Sequence, residues 1–142
     1  HALVLPSATG GTQAGLAVGA AWRSPATQVT GVLVARPEAD LRPAVESMVA
    51  ELAGWSGGAV PAEALRFDDT QLGDGYGQPT AAAADAARLL ATTEGILVDP
   101  IYTAKALAGL IAGVNAGRHD GRTVLFWHAG GTPGIFESIE GR

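Results

Sequence analysis

The sequence predicts an α/β fold, a three-layer sandwich in which a mostly parallel sheet of about five strands lies between helices. Three observations carry this expectation. Short apolar runs at Ala2–Pro6, Val29–Ala35, Ala64–Phe67, Gly95–Val98 and Thr123–His128 have strand length and sit next to Gly, Pro or Asp. Segments with helical patterning stand between them, so strand and helix alternate. The runs are nearly continuous in apolar residues, as strands covered on both faces are.

Taken in order, Ala2–Pro6 leads through Ser7–Gln13 into a helix over Gly11–Trp22 that is rich in Ala and other small residues. Val29–Ala35 follows, then a helix with Leu41, Val45, Met48, Val49 and Leu52 on one face. Ala64–Phe67 precedes a helix over Ala81–Thr93, and Gly95–Val98 precedes a helix with Leu107, Leu110, Ile111 and Val114 on one face. Residues 1–137 read as a single domain. Ile139-Glu140-Gly141-Arg142 spells a recognition sequence of a processing protease, so residues 138–142 are expected to be a tag remnant. A chain that enters a strand by Ala2 without an initiator Met is expected to be a piece of a longer one.

Composition narrows the class. With 47% apolar residues in 142, the chain has material for a core sealed on two faces. A formal charge of -5, with nine Lys plus Arg and no run of them, lacks the basic footprint of nucleic-acid or anionic-membrane binding. Cys is absent, which excludes disulfides, thiolate metal sites and Cys nucleophiles and fits a cytoplasmic location. No stretch approaches about eighteen apolar residues, and the first ten residues lack a signal-peptide pattern. A small-molecule ligand is the expected partner.

In a parallel α/β sheet that ligand lies beyond the carboxyl ends of the strands. The polar segments there are Ser7–Gln13, Arg36, Asp68–Tyr76, Asp99–Lys105 and His128–Thr132, all of which follow predicted strands. Ser7-Ala8-Thr9-Gly10-Gly11-Thr12 follows a strand and opens a helix, so free first-turn amides, the positive helix end and two hydroxyls can face one anion. A tight turn whose small residues only serve packing is the competing reading. No Gly-Lys-Ser/Thr follows, which excludes a P-loop, and Thr9-Gly10-Gly11-Thr12 is not the dinucleotide fingerprint. Arg36 reads as a solvated strand-end residue, although a 2′-phosphate would suit it. Tyr102 and Tyr76, the two tyrosines, are candidate proton donors or acceptors once a cation or cofactor lowers their pKa. Lys105, the one lysine, stands in the first turn of a helix, where a cation opposes the dipole; it is expected at the surface, or paired with Asp99 or an anionic ligand. His128 reads as a hydrogen-bonded strand-end residue and His119 as a loop residue; no metal site is expected.

Three segments together carry a resemblance. Ser7-Ala8-Thr9-Gly10-Gly11-Thr12-Gln13-Ala14-Gly15, Asp99-Pro100-Ile101-Tyr102-Thr103-Ala104-Lys105-Ala106 and His128-Ala129-Gly130-Gly131-Thr132-Pro133-Gly134 resemble, in order and spacing, the pyridoxal-phosphate-dependent D-cysteine desulfhydrase and 1-aminocyclopropane-1-carboxylate deaminase family. That family has the tryptophan synthase β-like fold, and the match covers the C-terminal part, from Ala2 to about Phe136. The resemblance implies pyridoxal 5′-phosphate as cofactor, with its phosphate on Ala8, Thr9, Gly10, Gly11 and Thr12. It implies Tyr102 beside the reacting centre and Thr103 at the pyridine nitrogen, where the deaminase carries Glu. A neutral hydroxyl there leaves the ring a weaker electron sink, which suits β-elimination. Gly75-Tyr76-Gly77 is similar to the segment that supplies a second active-site tyrosine. The family's covalent lysine lies on an N-terminal segment outside these residues, and Lys105 matches a different lysine. These residues alone are therefore expected to be inactive, and a non-catalytic phosphate- or nucleotide-binding module is the alternative. Removing the family's N-terminal segment is expected to expose apolar surface and a strand edge beside Ala2–Leu5 and the helix Gly11–Trp22, which favours a homo-oligomer.

Overall fold

A parallel sheet organises the chain, in a computed structural model that describes residues 1–56 and 58–137; the expected tag remnant lies outside them. Strands β1 (Ala2–Ser7), β2 (Gln28–Leu33), β3 (Leu65–Asp68) and β4 (Val124–Phe126) pair in the order β3-β2-β1-β4, every pair parallel. The helices are α1 (Gly11–Arg23), α2 (Glu38–Ser56), α3 (Ala81–Glu94), α4 (Thr103–Asn115) and the short α5 (Gly134–Glu137). The α/β class and the parallel sheet are as the sequence predicts.

Alternation along the strands explains the layers. Leu3 and Leu5 of β1, with Val29 and Leu33 of β2, pack against Ala14 and Ala17 of α1 and Leu41 and Val45 of α2. The opposite face carries Val4 and Val32, which meet Ala106 and Leu110 of α4. On the far side of α4, Leu107 and Ala108 meet Ala86 and Leu90 of α3. No described helix is long and apolar enough to cross a membrane.

Two expectations need correction. Among the described residues the sheet has four strands, because Gly95–Val98 pairs with none of them. Val98 is buried against Ala83 and Ala104, but Ile96 and Leu97 are 47% and 61% exposed. An apolar run becomes a strand only beside a free edge that completes its ladder, and composition does not report that edge. The second correction concerns β1, which is no edge: β2 and β4 flank it, and Leu3 and Leu5 are buried. Open apolar surface does lie beside β1 and α1, in a groove of ≈ 480 Å³ lined by residues that include Leu3, Gly15, Leu16, Gly19 and Leu125.

One buried polar side chain sets the spacing between α1 and the sheet. Gln13 is fully buried; its Nε2 donates to the Arg66 carbonyl at 2.9 Å, and its Oε1 accepts from the Ser7 hydroxyl at 2.8 Å. The amide reaches β3 by passing over Gly31 of β2, where a Cβ would collide with it. Gly31→Ala should therefore destabilise the domain by about 1–3 kcal/mol, the usual cost of overpacking. Urea unfolding measures this, and an unchanged midpoint would contradict the packing described.

Candidate functional site

Helices that start at the carboxyl edge of the sheet must satisfy their first amides, and they do so differently. At α4 the Asp99 carboxylate takes them. Its Oδ2 accepts from the amides of Ile101 and Tyr102 at 3.1 and 2.7 Å, and its Oδ1 from that of Thr103 at 2.8 Å. The Asp99 carbonyl accepts from Ala104 at 3.0 Å, and the side chain is buried. At α3 the Thr80 hydroxyl accepts from Ala83. At α1 no side chain caps the helix, and the first regular bond runs from Ala14 to Gly10. Among the described residues the amides of Thr9, Gly10, Gly11, Thr12 and Gln13 have no protein acceptor.

The loop before α1 is held so that these donors face outward. Gly10 has φ +86°, and a Cβ on it would run into Val45 and come within 3.3 Å of the Met48 Cε. The backbone thus lies directly on the apolar face of α2, which closes one side of the turn. On the other side, Pro6 to Gly10, Thr12, Gln13 and Tyr102 line a small polar hollow. Its volume is only ≈ 20 Å³, so a ligand meeting these donors keeps its other atoms outside, in the crevice. Thr9, Gly11 and Thr12 are exposed, Ala8 is half-buried and Gly10 is buried. This arrangement provides amides and hydroxyls but no fixed charge within the turn itself.

Tyr102 belongs to this hollow although it is far away in sequence. Its hydroxyl donates to the Pro6 carbonyl at 3.4 Å, at the end of β1. Burial raises its pKa above the usual tyrosine value, and the nearby charges of Asp99 and Tyr76 add to the rise. The phenol by itself therefore stays protonated and serves as a hydrogen-bond donor. Thr103, fully buried, donates its hydroxyl hydrogen to the Gly130 carbonyl at 2.7 Å, which leaves acceptor lone pairs. Tyr76, in the Gly73–Gly77 turn, is 65% exposed and near enough to influence Tyr102 electrostatically.

Lys105 is neither at the surface nor paired with Asp99. It is fully buried, and its Nζ donates to the carbonyls of Leu72 and Gly75 at 2.8 and 3.0 Å rather than to Asp99 or solvent. Burial lowers its pKa, against an opposing contribution from Asp74. His128 ends its run in hydrogen-bond contact with Leu97 and Gly130, His119 lies in the loop after α4, and Arg36 is exposed, as expected. The structure thus gathers Ser7–Gln13, Leu72–Tyr76, Asp99–Lys105 and Gly130 at one edge. Sequence reading missed the roles of Asp99 and Gln13. An Asp followed by Pro just before an apolar helix signals the first; nothing in the pattern signals the second.

The Tyr102 shift has a definite sign. Below about pH 10 the phenol is protonated in both folded and unfolded chains, so its contribution is fully present; as pH rises through the elevated folded value that contribution is lost. In a Tyr76→Phe variant, phenolate absorbance should titrate with a midpoint above about 10, the ordinary tyrosine value. A midpoint at or below that value would contradict the burial described.

A family model described as "Pyridoxal-phosphate dependent enzyme" matches residues 1–130. D-cysteine desulfhydrase of Salmonella paratyphi C (strain RKS4594) is 42% identical over 135 residues, which are 94% of this chain and 41% of that protein. The D-cysteine desulfhydrase of Salmonella newport (strain SL254) is 41% identical over the same shares. Among solved structures, one described as an ACC deaminase homologue superposes with a TM-score of 0.86 at 30% identity, covering 97% of this chain and 42% of its own. The chain spans about two fifths of the length of these relatives. The family match over residues 1–130 and the superposed fold agree: the chain belongs to the pyridoxal-phosphate-dependent enzymes.

Proposed function

We propose that these residues form the phosphate-binding part of a pyridoxal-phosphate-dependent lyase or deaminase that acts on a small amino acid, as D-cysteine desulfhydrase does. The observation that carries the reading is the uncapped start of α1. Free amides from Thr9 to Gln13 stand beside the hydroxyls of Thr9 and Thr12, whereas the corresponding amides of α4 are taken by Asp99. A phosphate monoester is an acceptor-rich dianion, and it suits a cluster of donors at a positive helix end. The residues therefore fit the cofactor the family implies.

On this reading Ala8, Thr9, Gly10, Gly11 and Thr12 hold the phosphate. When bound, the cofactor would supply an electron sink for β-elimination, which with one water converts a substrate such as D-cysteine to a 2-oxo acid, ammonia and sulfide. Tyr102 donates a hydrogen bond at the mouth of the phosphate hollow and keeps its proton at neutral pH. Thr103 is neutral and does not hold a proton on the ring as a carboxylate does. Tyr76 is the second phenol at the reacting centre. Lys105 has no part in covalent attachment, because its ammonium is committed to the Leu72 and Gly75 carbonyls. Self-association uses the apolar groove that Leu3 and Leu125 form with Gly15, Leu16 and Gly19 of α1.

Pyridoxal phosphate should bind this chain more tightly than phosphate-free pyridoxal, and Thr12→Ala should weaken it by about 1 kcal/mol, the net worth of one hydrogen bond. Fluorescence titration measures both, and equal affinity for the two forms would overturn the reading. The 142 residues by themselves should release no pyruvate or sulfide from D-cysteine above the rate with free cofactor. Turnover that Lys105→Met abolishes would show that the lysine has the covalent role denied to it here.

A further inference from the structure

Among the described residues, Lys105 is a buried ionisable group near the site for which neither the proposed chemistry nor helix capping has a use. Burying an ammonium costs several kcal/mol unless good hydrogen bonds compensate, so an apolar residue of the same length would serve packing better. Its position in the first turn of α4 adds an unfavourable dipole. What the charge obtains there is specific geometry. Nζ reaches the carbonyls of Leu72 and Gly75, two residues that bracket the tip of a tight turn, at 2.8 and 3.0 Å.

The turn closes on itself by weaker means. The Leu72 amide donates to Asp69 at 3.1 Å, and the Gly75 amide donates to Leu72 at 3.3 Å. The Leu72 carbonyl therefore receives both the turn's own hydrogen bond and the ammonium. A Cβ on Gly73 would lie 2.8 Å from the Thr80 Cγ2, so the turn sits tightly between Lys105 and the start of α3. Tyr76 follows directly, exposed and within electrostatic reach of Tyr102. Tyr102, Thr103 and Lys105 all belong to the same turn of backbone that Asp99 fixes.

We propose that Lys105 is a positioning residue: its buried ammonium ties the Leu72–Gly75 turn to the start of α4 and so sets Tyr76 beside Tyr102. The role rests on the reading of this edge as the cofactor site only in what Tyr76 does there. The tie itself is a matter of geometry. An exposed phenol on a glycine-rich turn has no packing of its own to hold it, and the two ammonium hydrogen bonds supply that order.

Hydrogen exchange on the full chain tests the tie. Lys105→Met should speed exchange of the Leu72 and Gly75 amides by about tenfold, the loss expected when a net hydrogen bond goes, while β1 and α1 amides keep their rates. Unchanged exchange at Leu72 and Gly75 overturns the proposal. If Lys105→Met does not fold, Lys105→Leu, which also removes the donor, is read in its place; unfolding of both shows a global structural role and also overturns it. Pyridoxal phosphate affinity then tests the link to Tyr76. Lys105→Met and Tyr76→Phe should each weaken binding to a similar extent, and the double variant should lose no more than either one. Additive losses overturn the positioning role. Absence of pyridoxal phosphate binding in the unmutated chain defeats the functional reading instead, and the exchange result then decides the Lys105 proposal by itself.

Discussion

Every helix that begins at the carboxyl edge of a parallel sheet brings amide hydrogens with no partner in the helix, and satisfying them is the constraint from which this site follows. Asp99 meets the constraint for α4 with one carboxylate and three amides. That arrangement places Tyr102 and Thr103 rigidly and removes the α4 terminus from competition for an anion. α1 is left with its donors open. The two helix starts are close enough for Tyr102 to reach the Pro6 carbonyl, so the occupied end orients side chains toward the open one.

The open end depends on close packing behind it. The loop can turn its amides outward because Gly10 lets the backbone lie on Val45 and Met48, and because Gln13 ties the first turn of α1 to Ser7 and β3. Gln13 in turn needs the gap at Gly31. Buried polar groups at this edge are all matched: Gln13 with Ser7 and Arg66, Thr103 with Gly130, and Lys105 with Leu72 and Gly75. Unpaired, each would cost roughly 1–3 kcal/mol, so together they hold loops from four parts of the chain in one arrangement.

Much of this was legible in the sequence. The apolar runs and helical faces gave the α/β class, and the strand–glycine–hydroxyl–helix order of Ser7–Thr12 pointed to donors at a helix end before any fold was known. The resemblance of three ordered segments led to the family that the match over residues 1–130 establishes. What was not legible depends on neighbours distant in sequence. Gly95–Val98 has a strand's composition but pairs with no strand among the described residues. β1 is interior because β4, more than a hundred residues later, covers its second edge. Lys105 looks like a surface lysine until the Leu72–Gly75 turn is placed over it, and Gln13 looks like any polar helix residue until Gly31 opens its path.

The central claim is that α1, and not α4, presents the anion-binding amides. Backbone amide NMR shifts during titration with pyridoxal phosphate read it directly. The account predicts large shifts at Gly10, Gly11, Thr12 and Gln13, with the Tyr102, Thr103 and Ala104 amides still held by Asp99 and shifting little. Shifts centred on Tyr102–Ala104, or none at Gly10–Gln13 once the ligand is bound, would contradict it.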